Sequence, residues 1–187
     1  FPDSVVSFAD ATLVSSDIRE PHGLFRPRIA LATAASLLDH RCHETYQLLD
    51  ATNTLLKASI IPTSASCFRR RVAIAAGGMP AEFRSGEDWL FWLRLAQHGR
   101  FVFTLDDLAL HHRHDQNLTH ARSAEFVSRE KLRGYLWLKG GMSGVPLTPS
   151  QHQQLKEMCD QQLKSWRYHL SRLGVREFTR GLRSEFA

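Results

Sequence analysis

The run from Ser85 to His98, Ser-Gly-Glu-Asp-Trp-Leu-Phe-Trp-Leu-Arg-Leu-Ala-Gln-His, leaves this chain few ways to fold. Trp89, Trp92, Leu93 and Ala96 repeat at the i, i+3, i+4, i+7 spacing of a helix, and Leu90, Phe91 and Leu95 fill most of the remaining circumference. A helix apolar on nearly every side belongs inside a protein. Its head is different. Ser85 is placed to cap it, and Glu87 and Asp88 occupy the first turn, where unpaired N–H groups and the helix dipole favour negative charge. A shaft in the core with two carboxylates at its mouth predicts that the acids open into a cleft. Acids are also common at any helix start, so the flanking chain has to decide between a cap and a site.

With 187 residues, 43% of them hydrophobic, the chain can build one sizeable domain and an appendage. Its net charge of +5 is modest for a dedicated nucleic-acid binder, and much of the excess lies in the tail. Cys42, Cys67 and Cys159 are far apart and lack a Cys-x-x-Cys pair, which suggests neither a disulfide framework nor a zinc ribbon and fits a reducing, cytoplasmic setting best. No run of eighteen apolar residues occurs, and the start lacks the layout of a signal peptide, so the chain reads as soluble. Because it opens on Phe1 and passes directly into an apolar run, its true start is expected upstream.

Along the chain, Val5, Val6, Phe8, Leu13 and Val14 predict short strands divided at Asp10. Pro21, Gly23 and Pro27 mark a loop, and the apolar density of 28–39 and of 44–57 predicts two helices. His40, Cys42, His43 and Glu44 are zinc-ligand types, but Gln47 stands where a zinc-protease helix needs its second His, so no metal is assigned there. Ile60 to Arg69 reads as extended, and 70–76 as a short helix stopped by Gly77-Gly78, whose backbone freedom suits either a C-cap or a close approach to a ligand.

Arg100 to Asp106 and then Asp107 to Arg113 predict two strands, ending in His111, His112, Arg113 and His114. A helix over 121–139 follows, then a glycine joint at 140–144 that does not fit a nucleophile elbow. Thr148, Pro149 and Gln151 form a capping box with proline at the first helical position. That last helix carries an apolar seam to Leu173. A basic segment with Arg176, Arg180 and Arg183 closes the chain and reads as a solvated helix packed on the domain, with peripheral membrane contact as the alternative.

The motifs from Leu55 to Thr119 resemble, in order, the second half of the inverting family-two glycosyltransferases, which have the GT-A fold. Leu55-Leu56-Lys57-Ala58-Ser59-Ile60-Ile61-Pro62-Thr63-Ser64-Ala65-Ser66-Cys67-Phe68-Arg69-Arg70 is similar to one passage of that family, with Ser59 where Asn is usual. Ala76-Gly77-Gly78-Met79 resembles its glycine loop, and Gly86-Glu87-Asp88-Trp89-Leu90-Phe91-Trp92-Leu93-Arg94-Leu95-Ala96 its acidic helix, with Leu90 replacing a common acid. His114-Asp115-Gln116-Asn117-Leu118-Thr119 resembles its closing segment, although His111-His112 stand where Tyr-Arg is usual. Four weak motifs in the right order form a specific signal.

The resemblance implies an α/β fold, the second half of a GT-A domain with a few strands and several helices, over 1–145, followed by a helical C-terminal tail over 146–187. It implies transfer of a sugar from a UDP- or dTDP-linked donor to a glycan or lipid-linked acceptor. Asp88 would be the general base and Glu87 its neighbour on the acceptor. Gly77 and Gly78 would offer main-chain N–H groups to the donor, with Trp89 and Arg94 at the substrate. His114 would help to hold a divalent cation, Mg or Mn. The family's nucleotide-binding half and its Asp-x-Asp motif do not occur in these residues, so the chain is expected to be inactive alone. No nucleic-acid partner is expected, and the site of action would be the cytoplasm, with the tail at the inner face of the membrane. A non-catalytic interaction module and a basic membrane-surface or nucleic-acid-binding domain are the alternatives. The angle of about 100° between successive helical residues keeps Glu87 and Asp88 from flanking one bond as in a glycoside hydrolase.

Overall fold

The computed structural model describes residues 3–16, 18–21, 24–25, 35–39, 44–114 and 124–172. It is a mixed α/β structure whose chain divides into two units, one formed by 1–82 with 87–120 and the other by 83–86 with 121–187.

The first unit is built on a six-stranded sheet. Its strands are β1 (Ser4–Val14), β2 (Arg19–Glu20), β3 (Ala35–Asp39), β4 (Thr45–Leu48), β5 (Ser66–Phe68) and β6 (Arg100–His112). The order across the sheet is β2-β1-β6-β4-β3, with β5 on β1. Strands β1 and β6 are parallel neighbours along their whole lengths, while β4 and β5 run antiparallel to theirs. A cross-strand stack sets this register: Phe8 and Phe103 are paired residues with ring centroids 5.3 Å apart, and Tyr46 stacks on the other side of Phe103 at 5.4 Å. Phe25 meets Phe8 and Phe103 edge-on at 5.0 and 5.1 Å and is wholly buried.

Four sequence expectations change here. Residues 35–39, read as the end of a helix, form β3, while 28–34 lie outside the described residues. The predicted helix over 44–57 is strand β4 and then a shorter helix, α1 (Ala51–Lys57). The break comes at Asp50, whose carboxylate caps α1 by accepting the N–H of Asn53 at 3.0 Å. Short apolar runs fit helix and strand equally well, and tertiary pairing with β6 decides. Strand β1 also runs through Asp10 instead of breaking there. The carboxylate is completely buried, and its Oδ1 accepts the N–H groups of Ala11, Leu24 and Phe25 at 2.8, 3.2 and 2.7 Å. A satisfied polar group need not interrupt a strand. Likewise 100–106 and 107–113 are parts of one strand, β6.

Two more helices belong to this unit, α2 (Arg70–Ala75) and α3 (Glu87–Leu95). The α3 shaft behaves as its composition demands: Trp89, Leu90, Phe91, Trp92, Leu93 and Leu95 are all buried. The Trp89 indole N–H ties it to α1 by donating to the Leu55 carbonyl, and Gln97, just past its end, donates to Thr52.

The second unit holds α4 (Ala124–Lys139) and α5 (Pro149–Ser171). The capping box at Thr148 and Gln151 is complete, with bonds of 3.3 and 2.8 Å. Glu125 accepts from the Trp166 indole and Ser128 bonds Ser165, so the two helices run in opposite directions. Buried Glu130 accepts from Arg133 at 2.7 Å and from the Arg84 N–H at 3.1 Å. Among the described residues no helix is long and apolar enough to cross a membrane.

Burial pushes the Tyr135 hydroxyl up to about 12, with the neighbouring Cys159 adding to the rise, and burial likewise raises the Cys159 thiol. The folded helix pair therefore keeps protons that the unfolded chain releases. The stability these groups contribute is full below their ordinary values of 9.0 and 10.0 and is lost as pH climbs towards 12. Urea unfolding across an alkaline pH series is expected to show this decline, and Tyr135→Phe is expected to make it shallower.

Candidate functional site

The mouth of α3 is where chemistry collects. The helix begins at Glu87, so Ser85 stands just outside the capping position and Gly86, with φ of +79°, makes the turn. Asp88 is half-buried. Its Oδ1 accepts the N–H of Trp89 at 2.7 Å, and its Oδ2 accepts the hydroxyl of Thr63 at 2.8 Å. Thr63 opens a 3-10 turn, Thr63–Ala65, that follows buried Pro62 and leads into β5. The turn is braced by the Ser66 hydroxyl, which donates to the Thr63 carbonyl at 3.0 Å. The Thr63 contact was not foreseen, because 25 residues separate the partners and nothing local marks it. Beside Asp88, the Oε2 atom of Glu87 is shielded from solvent and has no hydrogen-bond partner among the described residues. A buried unsatisfied oxygen calls for a donor.

Arg94 and Glu87 are seven residues apart and so share one side of α3 at a separation of about two turns. The Arg94 guanidinium donates through Nη1 to the Gly78 carbonyl at 3.0 Å. It thereby joins the glycine loop to α3. Gly77 and Gly78 both have positive φ, +84° and +68°, and end α2: their N–H groups donate to the carbonyls of Ile74 and Ala73 at 3.0 and 2.9 Å. This corrects the expectation that these amides face a ligand, since both are engaged in capping. Trp89 also differs from its expected place at the substrate. Its ring lies in the core and its N–H is held by Leu55.

Arg94→Met removes the clamp on the Gly78 carbonyl. A hydrogen bond from a charged donor is worth roughly 1.5 kcal/mol, less when partly solvated. Amide exchange at Gly77 and Gly78 is expected to quicken by about fivefold, measurable by mass spectrometry or NMR.

The histidines lie at the carboxyl ends of the parallel strands, with His111 opposite Leu13 and His112 opposite Val14. Open α/β sheets present their ligand sites at such ends. Burial lowers the affinity of His111 for a proton, and the positive charges of Arg113 and His112 lower it further. Lower on the same strands the Thr12 hydroxyl donates to Asp107 at 2.8 Å. His114 follows β6 and is exposed, while 115–119 of the predicted motif lie outside the described residues, as do His40, Cys42 and His43. Among the described residues no group of three or more His, Cys, Asp and Glu side chains lies together so as to hold a metal ion. His114 offers one imidazole, which does not by itself make a cation site.

A cavity of about 380 Å³ opens between the β1/β6 face and the 3-10 turn, lined in part by Ser7, Ala9, Ser64, Cys67, Thr104 and Leu108. Asp88 is not in its wall, but its partner Thr63 precedes Ser64, which is. Comparison of the chain with protein-family models, curated proteins and solved structures finds no match in any of the three.

Proposed function

We propose that this chain is the acceptor-side part of an inverting GT-A glycosyltransferase, acting on a UDP- or dTDP-linked donor and a glycan or lipid-linked acceptor. One observation carries the reading: a half-exposed Asp88 carboxylate, aimed by Thr63 from the head of a buried helix, stands beside a Glu87 oxygen with no partner of its own among the described residues. A base at the head of a rigid, buried shaft is held in place and does not wander.

In this reading an acceptor hydroxyl donates its proton to the Asp88 carboxylate while its oxygen bonds to the anomeric carbon. The bond from that carbon to the donor phosphate breaks in the same step, and its electron pair leaves with the nucleotide diphosphate. By the family resemblance Glu87 would contact the acceptor and orient the nucleophile. Gly77 and Gly78 take part as a loop held by Arg94 and not as amide donors. Mg or Mn at His114 belongs to the proposal through the family resemblance, and none of these steps depends on it.

The test is sugar transfer by the full-length native protein, presented with a panel of UDP- and dTDP-linked donors and glycan or lipid-linked acceptors. Turnover that is lost on substitution of Asp88 supports the reading. Binding of an acceptor or protein partner with no turnover on any donor favours an interaction module instead.

A further inference from the structure

From the exposed face of α2, we infer a second contact surface, one that docks on an anionic phospholipid bilayer. It is independent of the transferase reading. In α2 the residues Arg70, Arg71, Ile74 and Ala75 are exposed, while Ala73 is buried. At about 100° per residue, Ile74 falls between Arg70 and Arg71 on one side of the helix, with buried Ala73 about 100° round from Ile74. Ile74 is 65% exposed, and Met79, just past the glycine cap, is 42% exposed. The fold therefore presents two large aliphatic side chains to solvent in one short stretch, one of them flanked by guanidinium groups.

The charge of this stretch is one-sided. Between Asp50 and Glu82 the sequence contains Lys57, Arg69, Arg70 and Arg71 and no acid. An interfacial helix sinks an apolar side chain to the boundary between headgroup and acyl chain while basic neighbours reach the phosphates. Ile74 between two arginines matches that division of labour. A nucleic acid would use the arginines but leave the aliphatic groups without a role, so the lipid surface is the better fit. Its residues are other than those of the basic tail, Arg176, Arg180 and Arg183, which lie outside the described residues.

The experiment is flotation of the whole chain with vesicles of phosphatidylcholine alone, or with about one third phosphatidylglycerol, at physiological salt. The chain is expected to float with the anionic vesicles only. Arg70→Glu with Arg71→Glu is expected to weaken partitioning tenfold or more, since each basic group near such a surface contributes appreciably. Ile74→Ser, which leaves the charge unchanged, is expected to weaken it about fivefold. Circular dichroism checks that the variants fold, and Arg70→Gln with Arg71→Gln replaces the reversal should it not. Three results would overturn the inference: no flotation of the wild type, variants that float like the wild type because the tail does the binding, or a loss on arginine substitution with none at Ile74→Ser. The last would mark a purely electrostatic surface. No readout here depends on sugar transfer.

Discussion

Asp88→Asn, made in the full-length native protein, is expected to lower the rate of sugar transfer by about 10²- to 10⁴-fold, the usual contribution of a placed general base. The amide has the shape of the carboxylate: its oxygen can keep the Trp89 N–H, and its NH2 can donate to the Thr63 hydroxyl, which turns from donor to acceptor, so the fold and the helix start should survive. The loss should appear in kcat, with the acceptor KM little changed, because proton removal matters only in the transition state. Glu87→Gln should behave differently. A residue that orients the acceptor shifts KM more than kcat, and the two variants together separate the roles. Full activity in Asp88→Asn would reduce Asp88 to a helix-start acid bonded to a threonine.

Asp10→Ala is expected to destabilise the first unit by about 3 to 5 kcal/mol, on the scale of leaving buried polar groups unpaired. The carboxylate is fully buried and gathers the N–H groups of Ala11, Leu24 and Phe25. Two of those donors come from the segment that seats the Phe25 ring against Phe8 and Phe103, so losing the acceptor also loosens the aromatic stack. Against a total stability of roughly 5 to 15 kcal/mol, that is a large share. Urea unfolding followed by tryptophan fluorescence would measure it. Asp10→Asn keeps an acceptor oxygen and should lose less. A change below about 1 kcal/mol for the alanine variant would mean that water replaces the carboxylate at little cost.

Where the governing interactions are local, the sequence was readable. The Ser85–His98 pattern predicts a buried helix with acids at its mouth, and α3 is that helix. Thr148-Pro149-Ser150-Gln151 predicts the start of α5, because a capping box closes within four residues. The glycine stop after α2 was legible for the same reason, although it left open what the two amides do. Asp50 was missed as a cap because apolar residues on both sides suggested one continuous helix across it.

The candidate site was legible only in part. Asp88 and Glu87 could be named from their place at the start of the helix, and Arg94 from the family resemblance. The sequence shows neither that Thr63 holds Asp88 nor that Arg94 holds Gly78, since each pairing joins elements distant along the chain. Nor does it show which tryptophans face a ligand, because a ring on an all-apolar helix can point anywhere until neighbours are packed around it.

What the residue order determined alone was therefore the amphipathic logic of single elements: where helices begin, where they stop, and which of them must be buried. Tertiary structure decided the rest. It turned 45–48 and 35–39 into strands by offering them a partner ladder, and it carried β1 through Asp10 by bringing in the N–H groups of Leu24 and Phe25. It also spent the glycine amides and the Trp89 indole on the fold itself. Periodicity and capping act over one or two helical turns, so they are written in neighbouring residues. Hydrogen-bond partners from remote segments become neighbours only when the chain has closed around them.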